Sequence, residues 1–165
     1  MLLAGLLAGC GRQAPQRPSY RSGKAAEVDS AQLALMLWQQ QLAKAADDEL
    51  ARYVQQSGDT FALYDNCTWM RICDKGRQYE PKIQRGEEHV IHLEVYDLKG
   101  NLLADILRPF VVGKDQLPMA ADANMTVLNP GAKAEMVAPW YMAYGASGTE
   151  SVPPYTNVLI EMEIQ

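Results

Sequence analysis

GAKAEMVAPWYMAYGASGTESVPPYTNVLIEMEI, residues 131–164, closes on a segment in which apolar and polar residues alternate. Val158, Ile160, Met162 and Ile164 fall on one side of an extended chain, and Leu159, Glu161 and Glu163 on the other. That period of two marks a half-buried antiparallel strand with one core face. Upstream, Asn129-Pro130-Gly131 supplies a turn into the preceding strand. Pro118 can open a short helix ending near Leu128, because proline is tolerated at a helix start. His89–Tyr96 repeats the alternation, with Ile91, Leu93 and Val95 on one face and His92, Glu94 and Tyr96 on the other. Lys99-Gly100-Asn101 breaks it as a hairpin turn. Thr68–Cys73 reads as a first strand, followed by an Asp74-Lys75-Gly76 turn. These elements predict an α+β class: a curved antiparallel β-sheet wrapped around a short α-helix, preceded by an N-terminal α-helix.

That N-terminal helix is expected over 29–57, capped by Asp29 or Ser30. Leu42, Ala46, Leu50 and Tyr53/Val54 form a stripe at helical spacing, with Asp48 and Arg52 on the wet side. Leu33–Trp38 is apolar without interruption, more than one buried face needs, so packing on its own domain and a dimer or partner contact both stand as readings. Residues 11–28 are rich in Pro, Gln, Arg, Ser and Gly and have linker composition. Before them, LLAGLLAG at residues 2–9 precedes Cys10 and resembles a bacterial lipobox, in which the cysteine is lipidated and the preceding segment removed. The apolar run is far short of the roughly 20 residues a membrane-spanning helix needs. The resulting division is 1–9 signal segment, 10–28 lipidated cysteine and linker, 29–57 helix, and 61–165 globular domain.

The whole chain of 165 residues is 48% hydrophobic and 21% charged, an ordinary globular balance. Its net charge of −5 argues against nucleic-acid binding, which calls for a basic face. Arg12, Arg17, Arg21 and Lys24 outnumber Glu27 in the linker, so the domain beyond is more acidic than the total. Cys67 and Cys73 would be roughly 20 Å apart along a straight strand of about 3.3 Å per residue. A disulfide allows ~4.4–6.8 Å between Cα atoms, so separate thiols are favoured, a bulge or turn being the alternative. Two histidines and two separated cysteines give no zinc spacing, and no metal or cofactor is expected.

Gly131, Lys133-Ala134, Pro139, Ala143-Tyr144-Gly145-Ala146 and Val152-Pro153-Pro154, followed by a terminal alternating strand, resemble the C-terminal third of FKBP-type peptidyl-prolyl isomerases. The resemblance extends back to about Trp69. With the Glu49–Asp65 helix and connector, the chain is also similar, more weakly, to the FKBP-type lipoproteins of the gliding-motility-associated group. It implies that Tyr144 is the hydroxyl donor at a proline pocket and that the Val152 backbone N–H holds a substrate carbonyl. Gly145 and Pro153-Pro154 would shape the loop presenting them. Leu93, Leu103, Phe110, Leu117 and Ile160 would line the pocket. Several aromatic positions of the pattern are replaced: the strand tyrosine falls on Leu93, a Phe-Asp pair on Leu103-Ala104 with Asp105 one place late, the floor tryptophan near Ala121, and a wall phenylalanine on Ile160.

The expected function is therefore a peptidyl-prolyl isomerase acting on proline-containing polypeptides in the bacterial envelope. It would be anchored through Cys10, facing the periplasm, with a homodimer contact offered by the N-terminal helix. The alternative is a catalytically weak or inactive FKBP-like binding module of an envelope assembly.

Overall fold

The computed structural model describes residues 23–114 and 118–165, with side chains from Asp29 onward. Cys10 and Leu117 lie outside the described residues. Contacts divide the chain into two compact units, one ending at Leu37 and the other spanning Trp38–Gln165. Helix α1, Gly23–Ser57, belongs to both. It begins ahead of the cap expected at Asp29, because 24–28 contain no glycine or proline to stop it. It ends where Gly58 takes a φ of +74°, a conformation glycine adopts without penalty. In the first unit, Leu33, Leu35, Met36 and Leu37 are exposed. Among the described residues, no helix is long and apolar enough to cross a membrane.

The second unit is built on one six-stranded antiparallel sheet. Its strands are β1 (Ala62–Leu63), β2 (Trp69–Asp74), β3 (Glu88–Asp97), β4 (Leu102–Val111), β5 (Lys133–Ala138) and β6 (Val158–Ile164). They lie in the order β1-β2-β5-β6-β3-β4. The alternation read from β3 and β6 is realised: Ile91, Leu93, Val95, Val158, Ile160, Met162 and Ile164 are all buried. They form one core with Ala120 and Ala121 of the short helix α2 (Met119–Asn124) and with Met125 and Leu128 just beyond it. The hairpin joining β3 to β4 is fixed by Asp97, whose carboxylate accepts from the Lys99 and Asn101 backbone N–H groups at 2.9 Å each. The Asn101 side-chain amide also donates to this carboxylate at 2.7 Å, and it, ahead of the backbone bonds, holds the Asp97 carboxyl below its ordinary range. Pro109 sits within β4, which is an edge strand and so tolerates a missing donor.

The sheet has a second apolar layer on its outer face. Leu50 and Val54 of α1 pack with Val137 of β5, flanked by half-buried Trp69, Leu159, Tyr53 and Phe61. Polar ties support this contact: Asn157 donates to the Glu49 carboxylate at 2.7 Å and accepts from the Trp140 N–H at 2.9 Å. The Tyr141 hydroxyl donates to Asp47. Asp48 pairs with Lys44 at 2.8 Å, while Arg52, expected beside it, donates instead to its backbone carbonyl. Cys67 and Cys73 are both free thiols.

Candidate functional site

Leu93, Phe110 and Ile160 lie on the inner face, and the turn after β5 sets the position of Tyr144 beside them. Pro139 directs the chain into a single 3₁₀ turn, Trp140–Met142, closed by Met142 N–H to Pro139 O at 2.8 Å. Gly145 then donates to the Trp140 carbonyl at 2.8 Å. Tyr144 is thereby held against the core with only 7% of its surface exposed. Its hydroxyl is buried and has no hydrogen-bond partner. Burial pushes the phenol up to about 12, a rise the Arg108 guanidinium opposes. A buried hydroxyl without a partner costs about 1–3 kcal/mol, a cost that a ligand opening this contact and supplying an acceptor would recover.

The loop after Tyr144 closes on itself. Thr149 N–H donates to the Val152 carbonyl at 2.7 Å, and the Val152 N–H donates to the Thr149 hydroxyl at 3.1 Å. Tyr155 N–H returns to the Gly145 carbonyl at 3.3 Å. The donor assigned to Val152 is thus engaged by a side-chain hydroxyl of its own loop, which a bond rotation can withdraw. Trp140 stacks edge-on against Tyr141 and Tyr155, with ring centroids 5.4 and 4.9 Å apart, and Tyr155 also meets Trp38 at 6.2 Å.

Leu93, Phe110 and Ile160 are each 0% exposed and belong to the same core as Tyr144 and Val152; Leu103 is half-buried against it. Three side chains that the sequence pattern did not single out join them. Ile106 and Met142 are half-buried apolar neighbours of this core. Arg108, paired in register with Ile91, places its guanidinium 5.7 Å from the Phe110 ring centroid. The inward positions of β4 run Ala104, Ile106, Arg108 and Phe110 opposite Val95, Leu93, Ile91 and His89. Their alternation was the available signal, blurred by alanine, arginine and the neighbouring proline. Asp105 lies between inward positions and so faces outward, where it pairs with His92 at 2.6 Å. This contact raises the His92 imidazole above its ordinary value. The carboxylate that would sit in the pocket by resemblance is on the other side of the sheet.

No protein-family model and no curated protein matches the chain. Solved structures do. The molecule has the FKBP-like α+β fold, with a curved antiparallel sheet around a short helix and a helix before it. A peptidyl-prolyl cis-trans isomerase from Pseudomonas syringae pv. tomato superposes with a TM-score of 0.59 at 18% identity, over 74% of this chain and 92% of that one. The N-terminal domain of FKBP42 from Arabidopsis thaliana gives 0.54 at 20% identity, over 64% and 90%. FkpA from Escherichia coli gives 0.59 at 15% identity, over 88% and 73%.

Proposed function

We propose that the chain is a peptidyl-prolyl cis-trans isomerase that assists folding of proline-containing polypeptides in the bacterial envelope. The observation that carries this reading is the buried, unpartnered Tyr144 hydroxyl set beside the Gly145–Thr156 loop. A prolyl bond isomerises over a barrier of roughly 18–20 kcal/mol set by amide resonance. Catalysis needs no nucleophile or metal, only a surface that holds the twisted imide better than either planar form. In this reading the Tyr144 O–H donates to a peptide carbonyl, and the Val152 N–H, released by Thr149, holds a second. Ile106, Leu103 and Met142 offer apolar contact to the proline ring. Leu93, Phe110 and Ile160 support those walls from beneath.

The test uses the full chain and a proline tetrapeptide in an isomerisation assay. Catalysis above the spontaneous rate is expected. Tyr144→Phe should lower kcat/KM by about tenfold, corresponding to ~1.4 kcal/mol of lost transition-state binding. The same substitution should leave thermal stability unchanged or raise it, because it removes a buried hydroxyl that has no partner. A structural tyrosine would show the reverse pattern, with stability lost and rate retained.

A second reading has a specific observation in its favour. Asp105 faces outward, the three deep pocket residues are fully packed, and the Val152 donor is engaged within its loop. A binding module would hold proline-containing clients at this surface without isomerising them. A rate equal to the uncatalysed one, with peptide binding preserved, selects that reading.

Anchoring through a lipid on Cys10, facing the periplasm, completes the proposal. Incorporation of a labelled fatty acid into the wild-type chain and its loss in Cys10→Ala is the expected result. The exposed Leu33–Leu37 run suits a homodimer contact, which sedimentation of the full chain reports directly.

A further inference from the structure

The outer face of the sheet, beyond the strip covered by α1, has an unusual charge pattern. Strand register places Arg71, Glu135, Glu161, Glu94 and Asp105 directly opposite one another in a single row across β2, β5, β6, β3 and β4. Three successive cross-strand pairs in that row are carboxylate against carboxylate. Like charges directly opposite destabilise a sheet. At one end Arg71 answers Glu135 at 2.6 Å, with Asp59 on its other side at 2.6 Å. At the far end, the imidazole of His92 meets Asp105 at 2.6 Å. Among the described residues, His92, Glu94 and Asp105 bring one ligand atom each to within 4.8 Å of one another. His92 and Glu94 also line an open groove of about 400 Å³ that continues past Glu161 and Glu163.

We propose that His92, Glu94 and Asp105 form a site for a divalent transition-metal cation, with Zn²⁺ as the fitting ion. One imidazole nitrogen and two carboxylate oxygens suit borderline cations such as Zn²⁺, whose bonds to both atom types are about 2.0–2.2 Å. The ligands stand on two hydrogen-bonded strands, with Glu94 and Asp105 a direct pair and His92 two residues along the same face. Small side-chain movements therefore bring them around one ion, and the open groove leaves room for water at the remaining positions. On binding, His92 gives its Nε2 lone pair to the metal. From the imidazolium the Nε2 proton passes to solvent while Nδ1 keeps its own, and from the neutral ring the Nε2 proton is lost as Nδ1 takes one up, with no net release. The cation takes over from the His92–Asp105 hydrogen bond and neutralises the carboxylate end of the row, as Arg71 does at the other. Strand alternation puts this site on the face opposite Tyr144, so it is separate from the proposed proline surface.

The probe is zinc chloride added to the full chain at neutral pH, followed by calorimetry, thermal unfolding and the imidazole resonances. The chain holds only two histidines, His89 and His92, so the assignment is direct. The expected result is one equivalent of zinc that shifts the His92 ring signals, leaves those of His89 in place and raises the unfolding temperature. Asp105→Asn and His92→Asn should each weaken the affinity by about tenfold or more, with native circular dichroism preserved because both side chains are on the surface. Absence of saturable binding overturns the proposal. So does binding that leaves His92 unshifted or is unchanged in both variants, which would place the metal elsewhere on the chain.

Discussion

Phe110→Ala is expected to cost about 3–5 kcal/mol of folding stability, the range for emptying a fully buried aromatic position. The ring is 0% exposed and joins β4 to the core that also holds Ala120 and Ala121 of α2. Its neighbours belong to hydrogen-bonded strands and cannot collapse freely into the space left behind. Domains of this size are stable by roughly 5–15 kcal/mol in total, so the loss would be a large share of the whole. Urea unfolding should show a lower midpoint with an unchanged slope. Phe110→Leu refills most of the volume and should cost considerably less. The pair also separates two roles. If the ring only fills the core, the leucine variant keeps its affinity for a proline peptide. If it also steadies Arg108, whose guanidinium lies 5.7 Å from the ring centroid, and that guanidinium contacts a bound peptide, the leucine variant loses affinity while remaining folded.

How far the chain can be read from its residues depends on whether periodicity or pairing carries the information. β3 and β6 were legible because each shows an uninterrupted alternation, and every apolar position assigned inward is buried. The Leu42–Val54 stripe was legible for the same reason, at helical spacing. β4 was not, since Ala104, Arg108 and Pro109 interrupt its pattern, and only its edge position lets a strand tolerate them. Asp105 illustrates a sharper limit. A displacement of one residue along a strand transfers a side chain to the opposite face, and the register shift between Val95 and Tyr96 lies close by. The carboxylate row is invisible in the sequence, where Arg71, Glu94, Asp105, Glu135 and Glu161 are scattered. It exists only once four strand registers are fixed. The unpartnered hydroxyl of Tyr144 is of the same kind: the sequence names the residue as a candidate, but the lack of a partner depends on neighbours from several elements.

Gly148→Ala is expected to abolish tight binding and isomerisation of a proline peptide, by more than tenfold, while the sheet stays folded. Gly148 has a φ of +63°, and a Cβ there would stand 2.3 Å from the Val152 carbonyl oxygen and 2.7 Å from Pro153 C and Pro154 N. All three are backbone atoms of the segment proposed to hold the substrate, so no side-chain rotation relieves the overlap. The left-handed conformation alone costs about 1–2 kcal/mol for a residue with a Cβ, and forced overpacking adds about 1–3 kcal/mol. The cheapest relief is to open the loop, breaking the paired Thr149 and Val152 hydrogen bonds. Amide exchange at Thr149 and Val152 should then accelerate, while the β3 and β6 amides keep their protection. Gly145→Ala supplies the comparison. Gly145 has a similar φ of +74°, but a methyl group added there would meet nothing within 4 Å, so it carries the conformational cost without the collision. A loop that acts through the placement of Val152 will lose far more activity at Gly148 than at Gly145. Equal losses would assign the effect to backbone strain alone and remove Val152 from the proposed mechanism.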